Sequence, residues 1–61
     1  MRIGEVWRHK KYPAWSLKLL RYDKPDDYRC EFHDSIDEKT EFVTMGREDI
    51  FRDYRRGNES R

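Results

Sequence analysis

Sixty-one residues allow one domain with a thin core, because a chain this short buries only roughly 60% of its unfolded surface. Hydrophobic residues make up 34% and charged residues 44%, a balance that leans toward disorder. Two tryptophans, four tyrosines and three phenylalanines argue for folding instead, since each large ring buries ~150–250 Å². The net charge is only +1, the single cysteine excludes an intramolecular disulfide, and no segment approaches the ~20 apolar residues of a membrane span.

Residues 2–9 read as a first extended segment, imperfectly alternating because Val6 and Trp7 are adjacent. Lys10, Lys11, Tyr12 and Pro13 read as a loop, since proline cannot donate to a ladder. Residues 14–22 form the second strand, with Trp15, Leu17 and Leu19 on one face and Ser16, Lys18, Leu20 and Tyr22 on the other. Asp23, Lys24, Pro25, Asp26 and Asp27 make a turn, and residues 28–33 return as the cleanest period-two run, giving a hairpin. After a loop at 34–39, residues 40–45 form a fourth strand around Phe42, which Gly46 breaks. The period then changes. Ile50 and Tyr54 are four apart and Phe51 and Tyr54 three apart, which predicts a helix of at most two turns over 47–54, with Glu48 and Asp49 at its start and Arg55 and Arg56 at its end.

The expected fold is all-β: a small SH3-like barrel of four to five antiparallel strands, its open end plugged by a short C-terminal helical turn. Residues 1–56 form the domain and 57–61 a flexible tail. The expected core is Trp15, Leu17, Leu19, Cys30, Phe32 and Phe42, with Ile50, Phe51 and Tyr54 docking the helix onto it.

Gly4-x-x-Trp7 at the start, the central hairpin, and Met45 before Phe51-x-x-Tyr54 at the end resemble small SH3-like proteins encoded by bacteriophages and prophages. The resemblance covers nearly the whole chain. It implies an accessory role, binding a host protein or a nucleic acid, and carries over no site residue.

The charge is unevenly spread. Residues 1–21 hold six basic side chains against Glu5, a balance of +5; residues 22–50 balance at −6; residues 51–61 balance at +2. Such asymmetry marks an electrostatic binding face unless the sectors interleave in the fold. The lack of an apolar leader at Met1–Val6 makes a reducing cytoplasm the expected compartment.

No catalytic constellation emerges. Cys30-x-x-His33 has a local metal-ligand spacing, but residues three apart on a strand face opposite ways, and the paired clusters of zinc sites are missing. Asp34, Asp37 and Glu38 lack the ligand spacing and glycine of a calcium loop. Cys30, on an apolar face, is expected to be an inert core thiol. The three glycines are too far apart to cradle a phosphate. The expectation is a non-catalytic binding module with no cofactor and no metal.

Two partner classes stand open. A protein partner is placed first, because SH3-like barrels offer grooves and strand edges. A nucleic acid is the alternative, because Trp7, Arg8, Lys10, Lys11, Tyr12 and Trp15, extended by Lys18 and Arg21 along the second strand and by Arg52, Arg55 and Arg56 from the helix, interleave phosphate-neutralising and base-stacking side chains. A methyl-lysine cage from Trp7, Trp15 and Tyr22, and a homodimer joining basic and acidic sectors, are further options.

Overall fold

The computed structural model describes residues 1–57. Strand β1 is Val6–His9, β2 Trp15–Asp23, β3 Asp27–Asp34 and β4 Lys39–Gly46; helix α1 is Arg47–Asp53, and strand β5 is Tyr54–Arg56. All pairings are antiparallel, in the order β4-β3-β2-β1-β5. This is the all-β, barrel-like fold that the alternation predicts, curled but not closed. Among the described residues no helix is long and apolar enough to cross a membrane.

The curl follows from connection lengths. The outer strands β4 and β5 would lie ~19 Å apart in a flat five-stranded sheet. The helix joining them has seven residues and spans only ~10 Å. The sheet must bend so that its edges approach across α1. Its concave face then closes over Ile50, which is fully buried with Leu17, Leu19 and Cys30.

Trp7, Tyr28 and Tyr54 complete the core, with Phe32, Val43 and Met45 against it. Trp15 and Phe32 are half-buried, their rings meeting edge to face at 5.5 Å. Phe42 is not core; it is 60% exposed. The inward side of β4 carries Val43 and Met45, which lie opposite Cys30 and Tyr28, so the alternation at Thr40, Phe42 and Thr44 is real but faces outward.

Three further details differ from the sequence-based expectation. The ladder between β2 and β3 shifts between Leu19 and Arg21, so Leu20 is the extra residue of a bulge. Tyr22 thereby turns to the inner side opposite Tyr28, while Arg21 faces out opposite Arg29. Arg55 and Arg56 do not end the helix. They lie in β5, which pairs with β1, and the basic residue in the last helical turn is Arg52. Extended structure at the start covers only Val6–His9, because residues 2–5 turn at Gly4, whose φ of +94° suits glycine. Of the tail expected at 57–61, only Gly57 lies within the described residues, and its N–H donates to the Val6 carbonyl at 2.9 Å.

Candidate functional site

The outer, convex face can be read off the ladder registers, since residues directly opposite share a face. One row across it is Arg55, Arg8, Ser16, His33 and Thr40. The next is Val6, Lys18, Glu31 and Phe42, and a third is Arg21, Arg29 and Thr44. Five basic side chains therefore share this face with Glu31; Asp23 and Asp27 lie at its hairpin end.

Two of the cross-strand pairs are arginine on arginine: Arg8 opposite Arg55, and Arg21 opposite Arg29. Like charges directly opposite destabilise a sheet. Local hydrogen bonds hold the guanidinium groups in place. Arg29 Nη1 donates to Thr44 Oγ1 at 3.1 Å, and Arg21 Nε donates to Asp23 Oδ1 at 3.1 Å. The Arg21–Asp23 ion pair is solvent-exposed and adds little stability. Arg55 and Lys18 have no carboxylate within salt-bridge distance among the described residues. Along β2, cationic positions occur at the level of Ser16 (the Arg8–Arg55 pair), at Lys18 and at Arg21. At ~3.3 Å per residue they are ~7–10 Å apart.

The residues singled out from the sequence divide into three groups. Arg8, Lys18 and Arg21 lie on this outer face. Lys10, Lys11 and Tyr12 lie off it, at one end of the barrel. There Lys10 Nζ donates to the Phe51 carbonyl at 2.9 Å, and Lys11 sits 5.9 Å from the centre of the Tyr12 ring. The Tyr12 ring packs at a tilt against Trp15, centroids 4.6 Å apart, and against His9 at 5.1 Å. His9 Nδ1 accepts hydrogen bonds from the N–H groups of Lys11 and Tyr12, which fixes this loop. Trp7 is the third case: it is buried, and its ring meets Phe51 at 5.6 Å. It is thus no surface anchor for a base or a peptide. The methyl-lysine cage also fails, because Trp7 packs on Phe51, Trp15 on Tyr12 and Phe32, and Tyr22 on Tyr28.

Two outer-face residues escape the sequence reading: Arg29 is hidden by the acidic sector around it, and Phe42 by its clean alternation. Arg55, expected to add to the basic stripe from the helix together with Arg52 and Arg56, reaches the face from β5 instead. Elsewhere, Cys30 points inward and burial pushes its thiol up to about 11, while His33 faces outward, 3.0 Å from Thr40 Oγ1. The two do not converge. Asp26, Asp27, Glu48 and Asp49 line a shallow cleft with Arg47, which pairs with Asp26 at 3.8 Å. No cluster with metal-ligand geometry occurs among the described residues. No protein-family model, curated protein or solved structure matches this chain.

Proposed function

We propose that the chain is a nucleic-acid-binding module that holds the phosphates of a strand running along β2 on its outer face. The observation carrying this reading is the pair of ladder positions that set arginine opposite arginine, Arg8 with Arg55 and Arg21 with Arg29, flanking Lys18. Such an arrangement costs stability unless an anion bridges the guanidinium groups, and guanidinium forks match phosphate oxygens in bidentate geometry. The spacing along β2 offers a repeating polyanion a cation every second or third residue. Exposed Phe42, at the far side of the same face, supplies a ring on which a base stacks.

The test is a salt titration of binding to mixed-sequence single strands and duplexes. Five phosphate contacts give a log–log slope of about −3.5 on single strands and about −4.5 on duplex DNA. Replacing Arg55 and Arg29 by Ala should reduce the slope by roughly 1.4–1.8, whereas Lys11→Ala, off the face, should leave it unchanged. Binding no tighter than millimolar at low salt would remove this reading and leave the protein-interaction role that the sequence places first.

A further inference from the structure

The two edges of the sheet are unlike. The β5 edge is three residues long and carries Arg55 and Arg56, the short and charged type of edge that resists pairing. The β4 edge is eight residues long, Lys39–Gly46, with no proline and no bulge, and its strand neighbour among the described residues is β3 alone. Its most exposed apolar side chain, Phe42, stands near its middle. A long unprotected edge is a template for another strand.

The strand's own sequence is that template's complement. When β4 lies antiparallel to a second copy of itself with Phe42 on the two-fold axis, Phe42 meets Phe42, Thr40 meets Thr44 twice, Glu41 meets Val43 and Lys39 meets Met45. Aromatic and threonine pairs directly opposite are favourable, and no like charges meet. Shifting by two residues one way places Glu41 on Glu41; shifting the other way separates the two phenylalanines. We infer that β4 is the edge through which two copies of this chain associate, in the register that sets Phe42 against Phe42. The two-fold axis stands perpendicular to the sheet, so the outer faces of both copies lie on one side, Thr40, Phe42 and Thr44 of one continuing into those of the other. The inference rests on the β4 edge and not on the proposed function, although both draw on the exposed Phe42.

One pair of edge strands buries less than the ~800 Å² per partner of a standard interface, so the dimer is weak and is sought at millimolar protein. Sedimentation equilibrium of the wild-type chain should approach twice the 7.6 kDa chain mass as concentration rises. Phe42→Lys, at an exposed position, should keep the circular dichroism and melting of the parent and sediment as a monomer. Register is read by oxidation. Directly opposite residues have Cα atoms ~4.5–5.5 Å apart, within disulfide range, so a chain carrying Thr40→Cys and Thr44→Cys, which keeps Phe42, should crosslink readily while Thr40→Cys alone and Val43→Cys alone should not. Cys30 is fully buried and does not compete. A wild-type chain that stays monomeric at millimolar concentration overturns the association. A dimer that crosslinks through Val43→Cys rather than through the Thr40→Cys and Thr44→Cys pair overturns the register, and one that survives Phe42→Lys overturns the edge.

Discussion

The indole N–H of Trp7 donates to Oε1 of Glu5 at 3.2 Å, tying the largest ring of the core to a carboxylate just before β1. The same oxygen accepts the backbone N–H of Arg2 at 3.0 Å, and Oε2 accepts from Arg56 Nη1 at 3.2 Å. Glu5 thus joins the N-terminal turn, the core and β5. Burial pushes its carboxyl pKa up, but the hydrogen bonds from Arg2, Arg56 and Trp7, with the Arg56 charge, outweigh it and leave the carboxyl below its ordinary 4.5.

The sign follows by linkage. A carboxyl whose folded pKa is depressed stabilises the fold above its unfolded pKa and loses that contribution as pH falls through the folded value. Stability should therefore decline below about pH 4.5, and Glu5→Gln should flatten part of that decline while lowering stability at pH 7. Urea midpoints of both proteins at pH 7 and pH 3 check this. Equal losses on acidification in both would show that Glu5 is not coupled to folding.

Ile50 and Phe42 reverse the roles that size alone suggests. Ile50→Ala should cost about 2–5 kcal/mol, because it empties the site where α1 meets the concave face. Phe42→Ala should cost under ~1 kcal/mol, as its ring faces solvent. Chemical denaturation gives both values, and comparable losses would mean that β4 is turned the other way.

Cys30 should be unreactive toward a thiol reagent at pH 8 in the folded protein, and fully reactive in denaturant. Its thiol has a folded value of about 11 against an ordinary 9.0, so between those values the unfolded chain ionises first. Stability must then fall as pH rises through that window, and Tyr54, also pushed up by burial, acts in the same direction. Cys30→Ser or Cys30→Ala should weaken the alkaline loss seen in thermal melts from pH 8 to 11. An unchanged alkaline limb would place the titration elsewhere.

Glu38, in the β3–β4 turn, has φ of +53°, a left-handed conformation that side chains with a Cβ adopt at a cost of roughly 1–2 kcal/mol. Glu38→Gly should raise the melting temperature, the strain relief exceeding glycine's added unfolded-state entropy. Glu38→Val should lower it. A fall in melting temperature with glycine would show that the turn carries no strain at this residue.

Each arginine pair carries a stability consequence of its own. Replacing Arg21 or Arg55 by Thr, a good strand former, should stabilise the unliganded domain by roughly 0.2–1 kcal/mol while weakening nucleic-acid binding. A variant that loses stability and binding together would reveal a structural role instead.

The strands β2 and β3 were legible because both are long and alternate, β3 throughout and β2 as far as Leu19, with the turn between them marked by proline and aspartates. The face of β4 was not. Alternation separates Thr40, Phe42 and Thr44 from Val43 and Met45 but does not say which set is inside; the partners Cys30 and Tyr28 decide that. Tyr22 was misplaced by a single bulged residue, Leu20, which no local composition announces. Strand β5 was illegible for a related reason. Three residues after a helical period show no period of their own, and what makes them a strand is β1, at the other end of the chain. Of the outer face, Arg8, Lys18 and Arg21 were visible as members of a basic sector. Arg55 was visible as an addition from a helix, though a strand delivers it, and Arg29 joins them only through cross-strand register.

The adjacency of β1 and β5 also orders events in time. Pairs within β2–β3 and β3–β4 close short loops, whereas Trp7 and Arg56 are about fifty residues apart and their pairing carries the largest loop-closure entropy in the fold. A growing chain can assemble the middle meander early, yet Trp7 stays uncovered until the segment bearing Phe51 and Tyr54 has left the ribosome. The interval before β5 pairs is when a tryptophan and an open sheet edge are exposed together, so the window for misassociation closes in one step when β5 docks rather than shrinking gradually as the chain lengthens.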